Sequence, residues 1–188
     1  MWHAVNGMLR TWPAVGILIA LAAGTAAGQP PASGVRVDRG ALPSLHLPAL
    51  GDIPAVLTQL EVEEGEAAKA LAMDVNADGT ADWLIESSDA LCGTGGCPYI
   101  LIDGRSGRRL GEFFGSPIVI LEQRINGLPV VQAFAHLSVD SGTFTTSVFD
   151  GTSYQTVSSL LLKGDSVQGL FETLTRLPPA TGADQPRH

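Results

Sequence analysis

From residue 68 onward, short apolar runs alternate with steps that let the backbone turn sharply: Asp78-Gly79, Asp103-Gly104 with Gly107, Asn126-Gly127, Asp140-Ser141-Gly142 and Asp150-Gly151. Asn-Gly and Asp-Gly reach positive φ at little cost, which favours tight antiparallel hairpins. The runs between them are Ala68 to Met73, Trp83 to Glu86, Tyr99 to Ile102, Arg109 to Phe113, Ile118 to Glu122, Val130 to His136, Phe144 to Phe149 and Tyr154 to Val157. A parallel sheet needs crossovers of a dozen or more residues, and most of these connections are shorter. The expectation is a mainly β chain, an antiparallel meander of short hairpins forming a single compact β domain.

Two helices flank the strands in this reading. Ile53, Val56, Leu57 and Leu60 recur at helical spacing, with Asp52 placed to cap and Pro54 suited to the first turn. Near the other end Val167, Leu170, Phe171, Leu174 and Leu177 make one apolar stripe that Pro178-Pro179 terminates. The expected organisation is thus a β domain over residues 52–177 and a frayed tail over 178–188. Residues 29–51, with Pro30, Pro31, Pro43 and Pro48, read as a linker or an arm on the domain.

The N-terminus reads as an export signal. Arg10 supplies positive charge, Val15 to Ala23 is continuously apolar, and small residues follow in Gly24-Thr25-Ala26-Ala27-Gly28. The stretch from Trp12 to Ala27 is shorter than the ~20 residues a membrane span wants. Residues 1–28 are therefore expected to be a cleaved signal peptide, leaving a periplasmic or secreted protein with no membrane partner. The first cysteine after the apolar run is Cys92, which argues against a lipid anchor.

Without residues 1–28 the chain keeps 10 basic and all 19 acidic residues, a net charge of −9. That opposes nucleic acid as a partner, because phosphate binding requires a basic patch. About 160 residues remain, enough for one domain with a true core. Cys92 and Cys97 are an even pair in an export context, and the glycines of Cys92-Gly-Thr-Gly-Gly-Cys97 let so small a ring close, so a structural disulfide is expected. A sharper reading makes those glycine amides an anion-binding nest, with Arg105, Arg108 and Arg109 as the nearest cations, although these three read first as a solvated hairpin tip.

The most specific chemistry lies in Asp74-Val75-Asn76-Ala77-Asp78-Gly79-Thr80-Ala81-Asp82. Oxygen side chains at the first, third, fifth and ninth positions, with Gly at the sixth, are what a hard cation such as Ca2+ requires of a short loop. The main-chain carbonyl of Thr80 would fill the seventh position. The twelfth is Ile85, so the bidentate carboxylate of a helix-flanked EF-hand is missing, and Glu86 comes one residue late. Two carboxylates ~5 Å apart repel by about 3 kcal/mol at an effective dielectric of 20, so a compact loop of three wants a cation or full solvation.

The run DVNADGTADWLI resembles the FG-GAP and VCBS type of extracellular calcium-binding repeat. By that resemblance Asp74, Asn76, Asp78 and Asp82 are side-chain ligands and Thr80 a main-chain ligand of calcium. Together with the cysteine turn, the chain is also similar to small exported bacterial proteins of no assigned activity. It departs from the repeat family in carrying one copy of the loop, whereas a propeller needs at least four blades of ~40 residues.

Catalytic residue types are sparse. His136 with Asp140 and Ser138 or Ser141 has the membership of a hydrolase triad, without a nucleophile elbow. Glu61, Glu63, Glu64 and Glu66 form an acidic run that reads as solvated surface. The sequence thus leads to a non-enzymatic calcium-binding module for a protein or cell-envelope polysaccharide. The alternatives are a small secreted hydrolase with a dispersed site and an inhibitor of a basic cell-wall hydrolase.

Overall fold

The computed structural model describes residues 33–63 and 65–180. The expected signal peptide, residues 1–28, lies outside the described residues, as does the end of the expected tail. In chain order the elements are β1 (Gly34–Val37), β2 (Ser44–Leu45), α1 (Ile53–Gln59), β3 (Ala68–Met73), β4 (Asp82–Glu86), β5 (Cys97–Ile102), β6 (Arg109–Gly115), β7 (Ile118–Ile125), β8 (Leu128–Ser138), β9 (Ser141–Phe149), β10 (Tyr154–Lys163) and α2 (Asp165–Leu174). All eight expected strand runs are strands, and every pairing between strands is antiparallel.

The strands divide into two five-stranded sheets, β2-β3-β4-β5-β6 and β1-β7-β8-β9-β10. The first is a meander throughout; the second is a meander from β7 to β10, with β1 added beside β7 from the segment expected to be a linker or arm. Gly34–Val37 pairs with Ile118–Leu121, and Ser44–Leu45 pairs with Ala68–Lys69, so that segment stitches an edge onto both sheets. Pro178 and Ala180, at the head of the expected tail, exchange main-chain hydrogen bonds with Arg36.

Alternation along the strands sorts side chains between two layers on each sheet. Leu71, Leu84 and Leu101 lie side by side across β3, β4 and β5 and join Ile118, Ile120, Val131, Phe149 and Tyr154 in the core between the sheets. The opposite face of the same strands presents Ala70, Ile85, Ile100 and Ile102 to Ile53, Val56 and Leu60 of α1 and its end. Burying each of these large side chains contributes about 1.5–3 kcal/mol, which offsets the cost of ordering a helix too short to stand alone. Val167 and Leu174 of α2 cover Val119, Leu121, Val130 and Phe134 in the same way on the second sheet. The central strands are therefore buried on two faces, which explains why runs such as CPYILI are almost uniformly apolar, whereas the edge strand β10 is mostly exposed.

Close approach of the sheets demands a glycine at one point. A Cβ on Gly111 would sit 2.7 Å from Cβ of Tyr154, whose hydroxyl donates to the Pro129 carbonyl at 2.7 Å. At α1, Pro54 is in the first turn as expected, but Asp52 does not cap: its carboxylate accepts the Arg109 N–H at 3.0 Å and ties the helix start to β6.

Candidate metal centre

The loop that connects β3 to β4 is built from its own side chains. Asp74 accepts the N–H of Asp78 on one oxygen at 3.0 Å and the N–H of Gly79 on the other at 2.9 Å. The Asn76 carbonyl oxygen accepts the same Asp78 N–H at 2.9 Å, so the first and third oxygen side chains converge on one amide. Asp78 accepts the Thr80 N–H at 2.8 Å. Ala77 and Gly79 take left-handed φ values of 59° and 84°, which coil the chain so that these amides face the carboxylates.

Asp82, the ninth residue, starts β4 and is fully buried. One of its oxygens accepts the Val75 N–H at 2.9 Å and the other the Gly104 N–H at 2.8 Å. It therefore clamps the loop to the turn between β5 and β6. Burial pushes its carboxyl above the ordinary aspartate range, against the two amide bonds that pull it down. Asp74, Asp78 and Asp82 do not bring three carboxylate oxygens within 4.8 Å of one another.

The β5–β6 turn adds residues the sequence had not connected to the loop. Asp103 accepts from the Asn76 amide at 3.3 Å, and Arg105 pairs its Nε with the Asp78 carboxylate at 3.2 Å while donating to the Asp78 carbonyl at 3.0 Å. Behind the loop, Arg124 donates to the Val75 carbonyl. Beside it lies a cleft of about 260 Å³, with Asn76, Asp103, Arg108 and Asn126 on its walls and Leu128 and Phe149 among its apolar lining.

Cys92 and Cys97 have their sulfurs 2.12 Å apart, at bonding distance. The intervening turn is closed by reciprocal main-chain bonds between Gly93 and Gly96, so those two amides are already spent inside the ring. Arg105, Arg108 and Arg109 lie away from the ring: Arg105 bonds Asp78, Arg108 the Thr152 carbonyl, and Arg109 Gln59 and Glu112. Arg39 is the arginine at the ring, and it donates to the Gly93 carbonyl at 3.2 Å.

Next to the ring sits Glu86, one residue beyond the twelfth position of the calcium pattern. Glu86 is fully buried, and its two oxygens lie 3.0 and 3.2 Å from the Gly40 N–H. Burial raises its carboxyl above the ordinary glutamate range, with the Gly40 amide and the Lys69 charge pulling the other way. Tyr99 stands opposite Glu86 in the β4–β5 register, and burial likewise raises its phenol. The signal was the alternation of Asp-Trp-Leu-Ile-Glu, which puts Asp82, Leu84 and Glu86 on one inward face of β4.

The triad membership around His136 does not assemble. The imidazole stacks on Phe171 with centroids 5.2 Å apart and meets Phe134 edge-on, while Ser138 donates to Asp140 at 2.8 Å and bonds Ser141. No hydrogen bond links His136 to either serine among the described residues. Glu61, Glu63 and Glu66 are exposed between α1 and β3. Comparison with known proteins finds no matching family model, no matching curated protein and no matching solved structure.

Proposed function

We propose that this chain is an exported calcium-binding β domain that acts as a non-enzymatic binding module for a protein or polysaccharide of the cell envelope. One observation carries the reading: side-chain oxygens of Asp74 and Asn76 converge on the Asp78 amide around left-handed Ala77 and Gly79, and a cationic side chain, Arg105, is already drawn onto the Asp78 carboxylate. Asp74, Asn76, Asp78 and the Thr80 carbonyl are the residues that would hold Ca2+ in the loop, which supplies charge neutralisation and no chemistry of its own. Asp82 would complete the set by turning one oxygen from its amide partners.

The cleft beside the loop supports a binding role. Amide and carboxylate groups next to Leu128 and Phe149 offer the mixed polar and apolar lining that sugars and peptide loops use. Because Asn76 belongs to the loop and, bonded to Asp103 of the next turn, also lines the cleft, a cation in the loop would fix the cleft wall. The test is calorimetric titration of residues 29–188 with calcium, followed by retention on envelope polysaccharide and envelope protein extracts with and without the metal. The reading expects one equivalent of calcium and calcium-dependent retention that Asp78→Ala abolishes. Absence of calcium binding would contradict it.

A further inference from the structure

The buried groups around the disulfide form a cluster separate from the Asp74–Asp82 loop. One carboxylate oxygen of Glu86 and the sulfurs of Cys92 and Cys97 all lie within 4.8 Å of one another. Glu86 and Cys97 are fully buried, and Cys92 is half-buried, which leaves the cluster open on one side. The Tyr99 hydroxyl is buried without a hydrogen-bond partner, and so is the Ser88 hydroxyl, whose residue's carbonyl lies 3.5 Å from the Cys92 sulfur. Unpartnered buried hydroxyls are costly, and both belong to residues packed around this cluster.

We propose that reduction of Cys92–Cys97 opens a site for a thiophilic divalent cation such as Zn2+, with the two cysteine sulfurs and the Glu86 carboxylate as ligands. Main-chain bonds tie the ring independently of the sulfur bond, since Gly93 and Gly96 exchange N–H donors at 2.9 and 3.3 Å across the turn. The two thiols therefore stay together above Glu86, which the Gly40 amide holds in place. Two sulfurs and one oxygen with a fourth, solvent-side position is a donor set zinc accepts. Tyr99 then supplies the second-layer donor such sites use to orient a carboxylate.

A dithiol reductant passes two electrons and two protons to the cysteine sulfurs and becomes a disulfide itself, so one S–S bond breaks and one forms. Zn2+ then displaces the two thiol protons to solvent as two Zn–S bonds form. Two thiolates and a carboxylate leave one net negative charge on the complex, in reach of Lys69, whose charge acts on Glu86, and Arg39 at the ring.

The experiment uses the chain from residue 29, reduced with a phosphine and titrated anaerobically with Co2+ as a spectroscopic stand-in, in the absence of calcium. The expected result is one equivalent of cobalt with a sulfur-to-metal charge-transfer band, displaced by Zn2+ and absent from the oxidised protein. Glu86→Gln, which retains an acceptor for Gly40, should weaken binding about tenfold or more. Oxygen ligands of the Asp74–Asp82 loop cannot produce the sulfur band, so cobalt there is distinguished. A reduced protein that unfolds by near-ultraviolet circular dichroism, or stays folded without the band, overturns the proposal. Equal affinity in Glu86→Gln removes Glu86 from the site and also overturns it.

Discussion

The buried carboxylate of Asp82 accepts the Gly104 N–H at 2.8 Å and so fastens the Asp74–Asp82 loop to the turn of the next hairpin. The pair is sterically exclusive as well as hydrogen-bonded, since a Cβ on Gly104 would lie 1.7 Å from the Ala81 carbonyl oxygen. Asp82→Ala strands the buried N–H groups of Val75 and Gly104 and should cost about 2–4 kcal/mol. Gly104→Ala should cost at least about 2 kcal/mol by forcing the turn off the loop. Because both changes break one junction, the double variant should lose less than the sum. Urea denaturation in chelator measures all three, and strict additivity would show that the junction is not shared.

Arg105 is a tethered cation on Asp78, exposed to solvent. Exposed pairs of this kind contribute about 0–1 kcal/mol, so Arg105→Gln should barely alter stability in chelator. Calcium has to displace the guanidinium from Asp78, and the variant should therefore bind calcium more tightly, by a few-fold. Calorimetry reads this directly. Weaker calcium binding in Arg105→Gln would mean that the arginine supports the loop in its metal-bound form.

Glu86 makes stability depend on pH in a defined sense. Burial raises its carboxyl in the folded chain, so the folded state holds the proton more tightly than the unfolded state does. The contribution is fully present below the ordinary glutamate range and is lost as pH rises from there through the raised folded value. Glu86→Gln cannot ionise, so it should flatten that decline and be relatively more stable at neutral pH than wild type. Denaturant midpoints of the oxidised protein from pH 4 to pH 8 test it; an equally steep decline in the variant would assign the effect to another group. Asp82, raised for the same reason, leaves a residual slope of the same sign.

Much of the fold was legible because its rules are local. The Asp-Gly and Asn-Gly steps and the alternating runs between them located eight strands, and the stripe from Val167 to Leu174 located α2. Strands β1 and β2 were not legible, because four and two residues beside prolines carry no period, and what makes them strands is the edge offered by Ile118–Leu121 and Ala68–Lys69. The division into two sheets hinges on the crossings at Asp38–Pro43 and at Ser116–Pro117, where nothing in the local pattern marks a change of layer. In the loop, Asp74, Asn76 and Asp78 were readable from spacing alone. The partners Asp103, Gly104 and Arg105 were not, since more than twenty residues separate them from the loop and only the β4–β5 register brings them together.

The central claim is that Asp74–Asp82 holds calcium, and thermal unfolding of wild type, Asp78→Ala and Asn76→Asp in chelator and in millimolar calcium tests it most directly. A cation that binds only the folded state stabilises it by about 2.7 kcal/mol at a hundredfold excess over Kd, which is roughly 5–10 °C in Tm for a domain of this size. Wild type should show that rise. Asp78→Ala should lose most of it, having lost a carboxylate that also holds the Thr80 amide. Asn76→Asp should melt lower in chelator, because it exchanges an amide donor to Asp103 for a like charge, and should gain at least as much as wild type from calcium. If calcium shifts none of the three, or shifts Asp78→Ala as far as wild type, the loop is a hydrogen-bonded turn and the calcium account is contradicted.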